Sequence, residues 1–296
     1  MNRMLLPPTT DVSDVLLASR NASLIADPHR RNARALEKRA QVLAFLRDEI
    51  WTTTGVIATL LKLKYPAAHA LMQRMQSLNL ITSAPVFIPS PKGAKRVVLH
   101  GITAEGLVFA WPLDQVPEYR RPWESGKTNP LFVPHQIEVQ LARIRAEHAG
   151  WTAWRPARQL MGSELPKVPD AEGIDPAGVP VAVEVEREIK TDRRYEAVIG
   201  AYIVQMKQDN RWQRVDYLCP NVDFAARLAR AFGRLRHLRL ESKDEKMAKV
   251  GDLHQSHLDR FRFYAASEWP GGRWIEARLS IDIALVKLVA RSDSVK

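Results

Sequence analysis

The sequence predicts an α+β chain of two domains: a small helical unit that ends in a β-hairpin, then a larger α/β domain built on a mixed central sheet. Three observations lead there. Between about residues 38 and 112 apolar residues recur three times at helical spacing and then alternate on either side of a turn. From about residue 131 onward helical and strand periods interleave. The stretch between them, "LDQVPEYRRPWESGKTNP" at 113–130, is polar and dotted with proline, as a linker is.

Bulk properties agree with a soluble globular protein. The 296 residues suffice for two ordinary domains, and 46% hydrophobic with 26% charged residues is a common balance. The charge is less ordinary. A formal net charge of +11 predicts a polyanionic partner, nucleic acid before membrane. A single cysteine, Cys219, follows "VDYL" and reads as a buried strand thiol, which excludes a disulfide framework and fits a reducing compartment. No run of about 18 apolar residues is present to cross a bilayer. The opening "MNRMLLPPTTDVSD" has too short an apolar segment for a secretory signal, so a cytoplasmic location is expected.

Residues 1–37 read as a basic N-terminal arm. Where it runs into the first helix, in "DPHRRNARALEKRA", Arg30, Arg31, Arg34, Lys38 and Arg39 crowd together, suited equally to a solvated helix start and to contact with DNA. "EKRAQVLAFLRDEIW" then places Val42, Leu43, Phe45, Leu46 and Ile50 on one side of a helix. "TTTGVIATLLKL" opens on threonines suited to an N-cap, and Pro66 suits the first turn of a third helix at about 66–78. "LNLITSAPVFIPSPKGAKRVVLHGIT" reads as two short strands around the basic tip "SPKGAK", and "TAEGLVFAW" as a closing fourth helix. Three helices and a hairpin, residues 38–112, follow the order of a winged helix-turn-helix domain. In such a domain the third helix would enter a major groove, with Gln73 and Arg74 toward the bases and Lys92, Lys95 and Arg96 of the wing on phosphates.

The second domain, 131–268, is expected to run as a helix at about 134–149, a strand near Trp154, two strands within "VPDAEGIDPAGVPVAVEVEREIK" (168–190), a helix at about 191–208, the strand "RVDYLCP" and a helix at about 222–236. "HLRL" and "RFRFYAAS" are expected to add edge strands. Residues 269–296 are left as a C-terminal extension, alternating through Ile275, Ala277, Leu279, Ile281 and Ile283.

Acidic residues beside a valine-rich strand carry the functional reading. Val179, Val181, Val183 and Val185 would share one side of that strand, and Glu184 and Glu186 the other. "IDPAGV" has the residue types of a type I turn, Asp175 first and Gly178 fourth. Folding about that turn pairs residues whose numbers sum to about 353, so Asp170 lands opposite Glu184 to within about one position. Three carboxylates in one patch repel one another, and a divalent cation removes the conflict. Carboxylate oxygens with open water positions suit Mg²⁺ or Mn²⁺. Lys190, at the start of the next helix, is placed to stabilise charge developing on a phosphate.

"PD" at 169–170, a turn, Glu184 and Glu186 on a Val-rich strand and Lys190 just beyond resemble the PD-(D/E)XK nuclease fold. A winged helix in front of such a domain resembles the replication-relaxation proteins and the MOBC-class mobilisation relaxases, DNA nickases of plasmids and integrative elements. The resemblance implies a divalent-metal-dependent DNA endonuclease that acts on double-stranded DNA at a transfer origin and hands it to a secretion-system coupling protein. It implies Asp170, Glu184 and Glu186 as metal ligands, Lys190 as the catalytic lysine, and Glu138 on the first helix as a fourth ligand, with His135 beside it as a ligand or general base. The pattern departs at one point: Glu186 stands where the nuclease motif has lysine. A literal E-x-K occurs at Glu188 and Lys190, which would make Glu188 the ligand and move Glu184 behind it. The displaced lysine also leaves room for a second class of function, a DNA-binding accessory or replication-control protein whose nuclease-like domain does not cut.

Other chemistries have less support. No His-x-His pair, no Gly-rich phosphate loop and no further metal spacing around His254 and His257 occur, and Tyr195 and Tyr202 lie on an apolar helix face.

Overall fold

In the computed structural model, residues 27–91, 93–112, 114–162, 165–208, 210–241 and 247–280 are described. Helix α1, Pro28–Glu49, begins ten residues before the domain start expected from periodicity. Asp27 caps it by accepting from His29 N at 2.9 Å, and Pro28 opens it. Its first turns project past the core, so they carry no apolar stripe that periodicity could register; the part of the expected arm from Pro28 onward is therefore helix. The rest of the arm lies outside the described residues. Farther along, Val42, Leu43, Phe45 and Leu46 are buried as expected, while Ile50 leaves the helix at φ 66°.

Strand β1 (Trp51–Thr52) leads to α2 (Thr54–Leu60), capped by Thr53 Oγ1 accepting from Val56 N, and to α3 (Tyr65–Ser77) with Pro66 in its first turn. Strands β2 (Ile81–Ser90) and β3 (Gly93–Ile102) form an antiparallel hairpin of ten residues per strand, longer than expected, and α4 (Ala104–Val108) follows. The sheet order is β1-β3-β2. This is the element order of a winged helix, around a core that includes Leu46, Ile57, Met72, Met75 and Ile102.

The connection after α4 is pinned rather than free. Trp123 is buried, its N–H donates to Ile102 O at 2.9 Å and its indole to Thr128 Oγ1 at 2.9 Å. A Cβ at Gly101 would come within 2.2 Å of that ring, so glycine is required for the close approach.

The second domain runs α5 (Val133–His148), β4 (Thr152–Pro156), α6 (Ala157–Leu160), β5 (Ala171–Ile174), β6 (Pro180–Val185), α7 (Asp192–Gln208), β7 (Arg214–Cys219), α8 (Val222–Arg234), β8 (His237–Glu241), β9 (Met247–Asp252), α9 (Gln255–Leu258), β10 (Phe261–Ala265) and β11 (Ile275–Glu276). Six strands form a mixed sheet in the order β11-β10-β7-β6-β5-β4, with β6 parallel to β7 and β7 parallel to β10. On one face Val139, Ala142 and Ala146 of α5 pack on Val181, Val183 and Val185. On the other, Tyr195 and Tyr202 of α7 and Phe232 of α8 pack with Ala182, Tyr217 and Phe261.

Three expectations are corrected here. "HLRL" is not in the main sheet: β8 pairs with β9 in a two-stranded ribbon held against α7, where Arg239 Nε meets Glu196 at 2.6 Å. β10 is not an edge, because it lies between β7 and β11. Nor does the domain stop at 268. Trp269 is 1% exposed, its ring 4.8 Å from that of Trp151 and its indole 3.0 Å from Asp216 Oδ2, and Ala277 is in the core. Residues 269–280 thus complete the fold through aromatic burial, and Ile281 and Ile283 lie outside the described residues.

Helix α5 belongs to both cores. Ile137, Leu141 and Ile144, the expected buried stripe, pack on the first domain rather than on the sheet. Gln140 accepts from Thr52 Oγ1 at 2.9 Å and donates to Trp51 O at 2.7 Å. Arg143 reaches Asp48 at 2.9 Å, fully buried Glu49 at 3.1 Å and Glu147 at 2.7 Å. The two domains are therefore locked by a shared helix and a buried ionic cluster. No helix among the described residues is long and apolar enough to cross a membrane.

Candidate functional site

The turn between β5 and β6 forms as its residues require. Gly178 N donates to Asp175 O at 2.9 Å, Asp175 Oδ1 accepts from Ala177 N and Val179 N, and Gly178 takes φ 79°. The register that follows pairs Ala171 with Val183 and Ile174 with Pro180. Asp170, one residue before β5, is thereby in line with Glu184. Its Oδ2 accepts from Val185 N at 2.8 Å across the strands, and its Oδ1 lies 3.0 Å from His135 Nε2 of α5.

The face that carries Glu184 and Glu186 is covered by α7, so these are not acids offered to water: they are 7% and 6% exposed. Each has its own partners. Glu184 Oε1 lies 2.6 Å from Lys167 Nζ and accepts from the Tyr202 hydroxyl. Glu186 Oε2 lies 2.7 Å from Lys190 Nζ and 3.3 Å from the Tyr195 hydroxyl. Lys190 stands two residues before α7 and serves Glu186, not the Asp170–Glu184 pair. Glu138 is 2.9 Å from Arg187 Nη1. Glu188 is exposed with no side-chain partner among the described residues.

The electrostatics separate the two facing acids. Burial pushes the Glu184 carboxyl above the usual carboxylate range and the charge of Asp170 adds to the push, against Lys167 and Tyr202. Burial acts on Asp170 as well, but the His135 hydrogen bond and charge, the Val185 N–H and Lys167 outweigh it and hold Asp170 below its ordinary value. His135, penalised by burial, is raised on balance by Asp170, Glu138 and Glu184. Burial also raises Tyr195 and Tyr202, so both phenols stay protonated as hydrogen-bond donors.

The structure thus brings together Asp170, Glu184, His135 and a residue the sequence reading missed, Lys167. Its only sequence signal is a position three residues before Asp170. Glu186 with Lys190 and Glu138 with Arg187 are separate ion pairs beside this centre. Among the described residues no group of three or more His, Cys, Asp or Glu side chains is placed to hold a metal ion. His254 and His257 cap α9, with His254 N donating to His257 Nδ1 at 3.2 Å.

A second feature lies on the first domain. Arg31, Arg34, Lys38 and Arg39 of α1 face Arg74 of α3 across a groove of about 400 Å³ floored by Leu63, Ala67 and Leu71. Among these cations only Arg34 has an ion-pair partner within the described residues, Glu37 at 2.7 Å. Gln73 and Arg74 are both exposed on α3, and Arg74 lines this groove with the cations of α1. Lys95 and Arg96 are exposed on β3 opposite Ile88 and Phe87, and Lys92 lies outside the described residues.

No family model matches this chain, and no curated protein matches it. Among solved structures, a double mutant of Lactococcus lactis ZitR in apo form is similar over 34% of this chain and 69% of that chain, at 19% identity and a TM-score of 0.20.

Proposed function

We propose that this protein binds duplex DNA through its first domain and nicks one strand at the Asp170–Glu184 centre, as a divalent-metal-dependent endonuclease resembling the MOBC-class relaxases that act at a transfer origin. The observation that carries the reading is the β5/β6 register, which sets two carboxylates in line beside Lys167 and His135. Mg²⁺ is commonly held by only one or two carboxylates, with water and substrate phosphate completing its shell. Asp170 and Glu184 fit that role, and the repulsion between buried Glu184 and half-buried Asp170 is the conflict a cation relieves. Bound there, such an ion would polarise a scissile phosphate. Lys167 would neutralise charge building on the phosphate, and His135, hydrogen-bonded to Asp170, would take or give a proton. Glu138, Glu186 and Lys190 would shape the surrounding charge rather than bind the ion, and transfer to a coupling protein would follow the cut.

A second reading is favoured by one observation: every acid of the centre already has a cationic, phenolic or imidazole partner. On that reading the domain is a platform and the protein a DNA-binding accessory. A supercoiled plasmid carrying the element's own transfer origin, incubated with protein and Mn²⁺, separates the two. Open-circular product that Glu184→Gln abolishes supports the nickase; tight binding with intact plasmid supports the accessory protein.

A further inference from the structure

A cleft of about 410 Å³ opens between the domains, walled by Trp51 beside α2, by Arg121, Lys127 and Phe132 of the connecting segment, by Gln136 of α5 and by Arg158 of α6. We infer that this cleft takes unpaired nucleotides of a single DNA strand and leads that strand to the Asp170–Glu184 centre. The inference rests on the reading of the chain as acting on one strand of a bound duplex.

The cleft has room for one nucleotide; so has the groove on the first domain, so lining and position, not volume, set the cleft apart. Arg143, Gln140 and the shared helix α5 tie its two sides together. Duplex DNA has a different surface to meet, the cationic groove between α1 and α3.

The lining is that of a single-strand site, aromatic faces for bases beside cations for phosphates. Phe132 is 66% exposed, and Trp51 is half-buried at the cleft wall. The acids of the cleft are already committed, Glu49 to Arg143 at 3.1 Å and Glu124 to Lys127 at 2.9 Å. Arg121 has no ion-pair partner among the described residues, and the Arg158 guanidinium donates to a backbone carbonyl, that of Asp48. Burial lowers the Arg158 pKa, against the opposing charges of Glu49 and Asp48.

Two residues of the cleft wall adjoin residues of the centre. Ala157, in its wall, donates its N–H to Asp170 O at 2.8 Å, and Gln136 follows His135, whose imidazole holds the Asp170 carboxylate. A strand lying on Phe132 and Arg158 would therefore run beside the segments that carry Asp170 and His135.

The test uses the full chain, a fluorescein-labelled 12-nucleotide oligo(dT) and a labelled duplex, read by fluorescence anisotropy. Phe132→Ala and Arg121→Ala, both exposed positions whose loss leaves the core intact, are each expected to weaken oligo(dT) binding about tenfold. Duplex affinity should stay within twofold. Unchanged oligo(dT) affinity in both variants, or equal losses on single strand and duplex, would overturn the inference. Wild-type protein that binds oligo(dT) through Phe132 and Arg121 yet cuts no plasmid supports the cleft and defeats the nickase reading, so the two failures are distinguishable.

Discussion

Lys167 Nζ lies 2.6 Å from Glu184 Oε1, reaching it from the loop that precedes β5. Lys190, the lysine nearer in sequence to the valine strand's acids, is instead held by Glu186. If the centre cuts DNA, Lys167→Ala should lower the nicking rate about 100-fold, as loss of a single transition-state donor does. Lys190→Ala should change it only a few-fold. Single-turnover nicking of supercoiled plasmid measures both, and the reverse ranking would return the catalytic role to Lys190.

The groove between α1 and α3 makes a prediction about salt. Arg74→Ala and Lys38→Ala should each weaken duplex binding on any sequence and reduce the slope of log K against log salt by about 1. Titrations at several salt concentrations check this. Slopes equal to that of the wild type would remove α1 from the interface.

Arg143 is the keystone between domains. With its guanidinium gone, Glu49, already pushed up by burial, would keep only the Gln136 amide and lose its ion-pair partner in a fully buried site. Arg143→Ala should cost about 3 to 5 kcal/mol in urea unfolding. A paired Arg143→Met and Glu49→Leu replacement should recover most of that loss, because breaking the pair is costlier than removing both charges. Failure of the double variant to recover would place the cost in packing rather than charge.

Asp175 supplies the pH dependence. Burial raises its carboxyl, but the Val179 N–H, Arg214 and the Ala177 N–H outweigh burial and hold it below the ordinary value in the folded protein. A depressed folded pKa contributes stability that is present above the unfolded pKa of about 3.9 and is lost as pH falls through the folded value. The difference in unfolding free energy between wild type and Asp175→Asn should therefore be largest near neutral pH and shrink below pH of about 4. A difference independent of pH would assign the turn's stability to its geometry alone.

By itself the sequence determined what local chemistry controls. Thr53 and Pro66 start helices, Asp175 and Gly178 make a turn, and the alternation of β6 follows from the period of a strand, so the element order and the facing of Asp170 with Glu184 were legible. Tertiary structure decided what covers each face. The glutamate side of β6 reads as a surface because its alternation is polar, yet α7 lies on it and brings Tyr195 and Tyr202 to the acids. The stripe of α5 reads as one core, yet it packs on the first domain while Val139 and Ala142 meet the sheet. Lys167 and Trp269 carry no periodic signal, because their partners are set by elements distant in the chain. Periodicity reports which sides of an element are apolar. Which neighbour fills each side, and which cation reaches a buried acid, depends on how separate elements pack in three dimensions, where close packing and the cost of an unpaired buried charge select the partners.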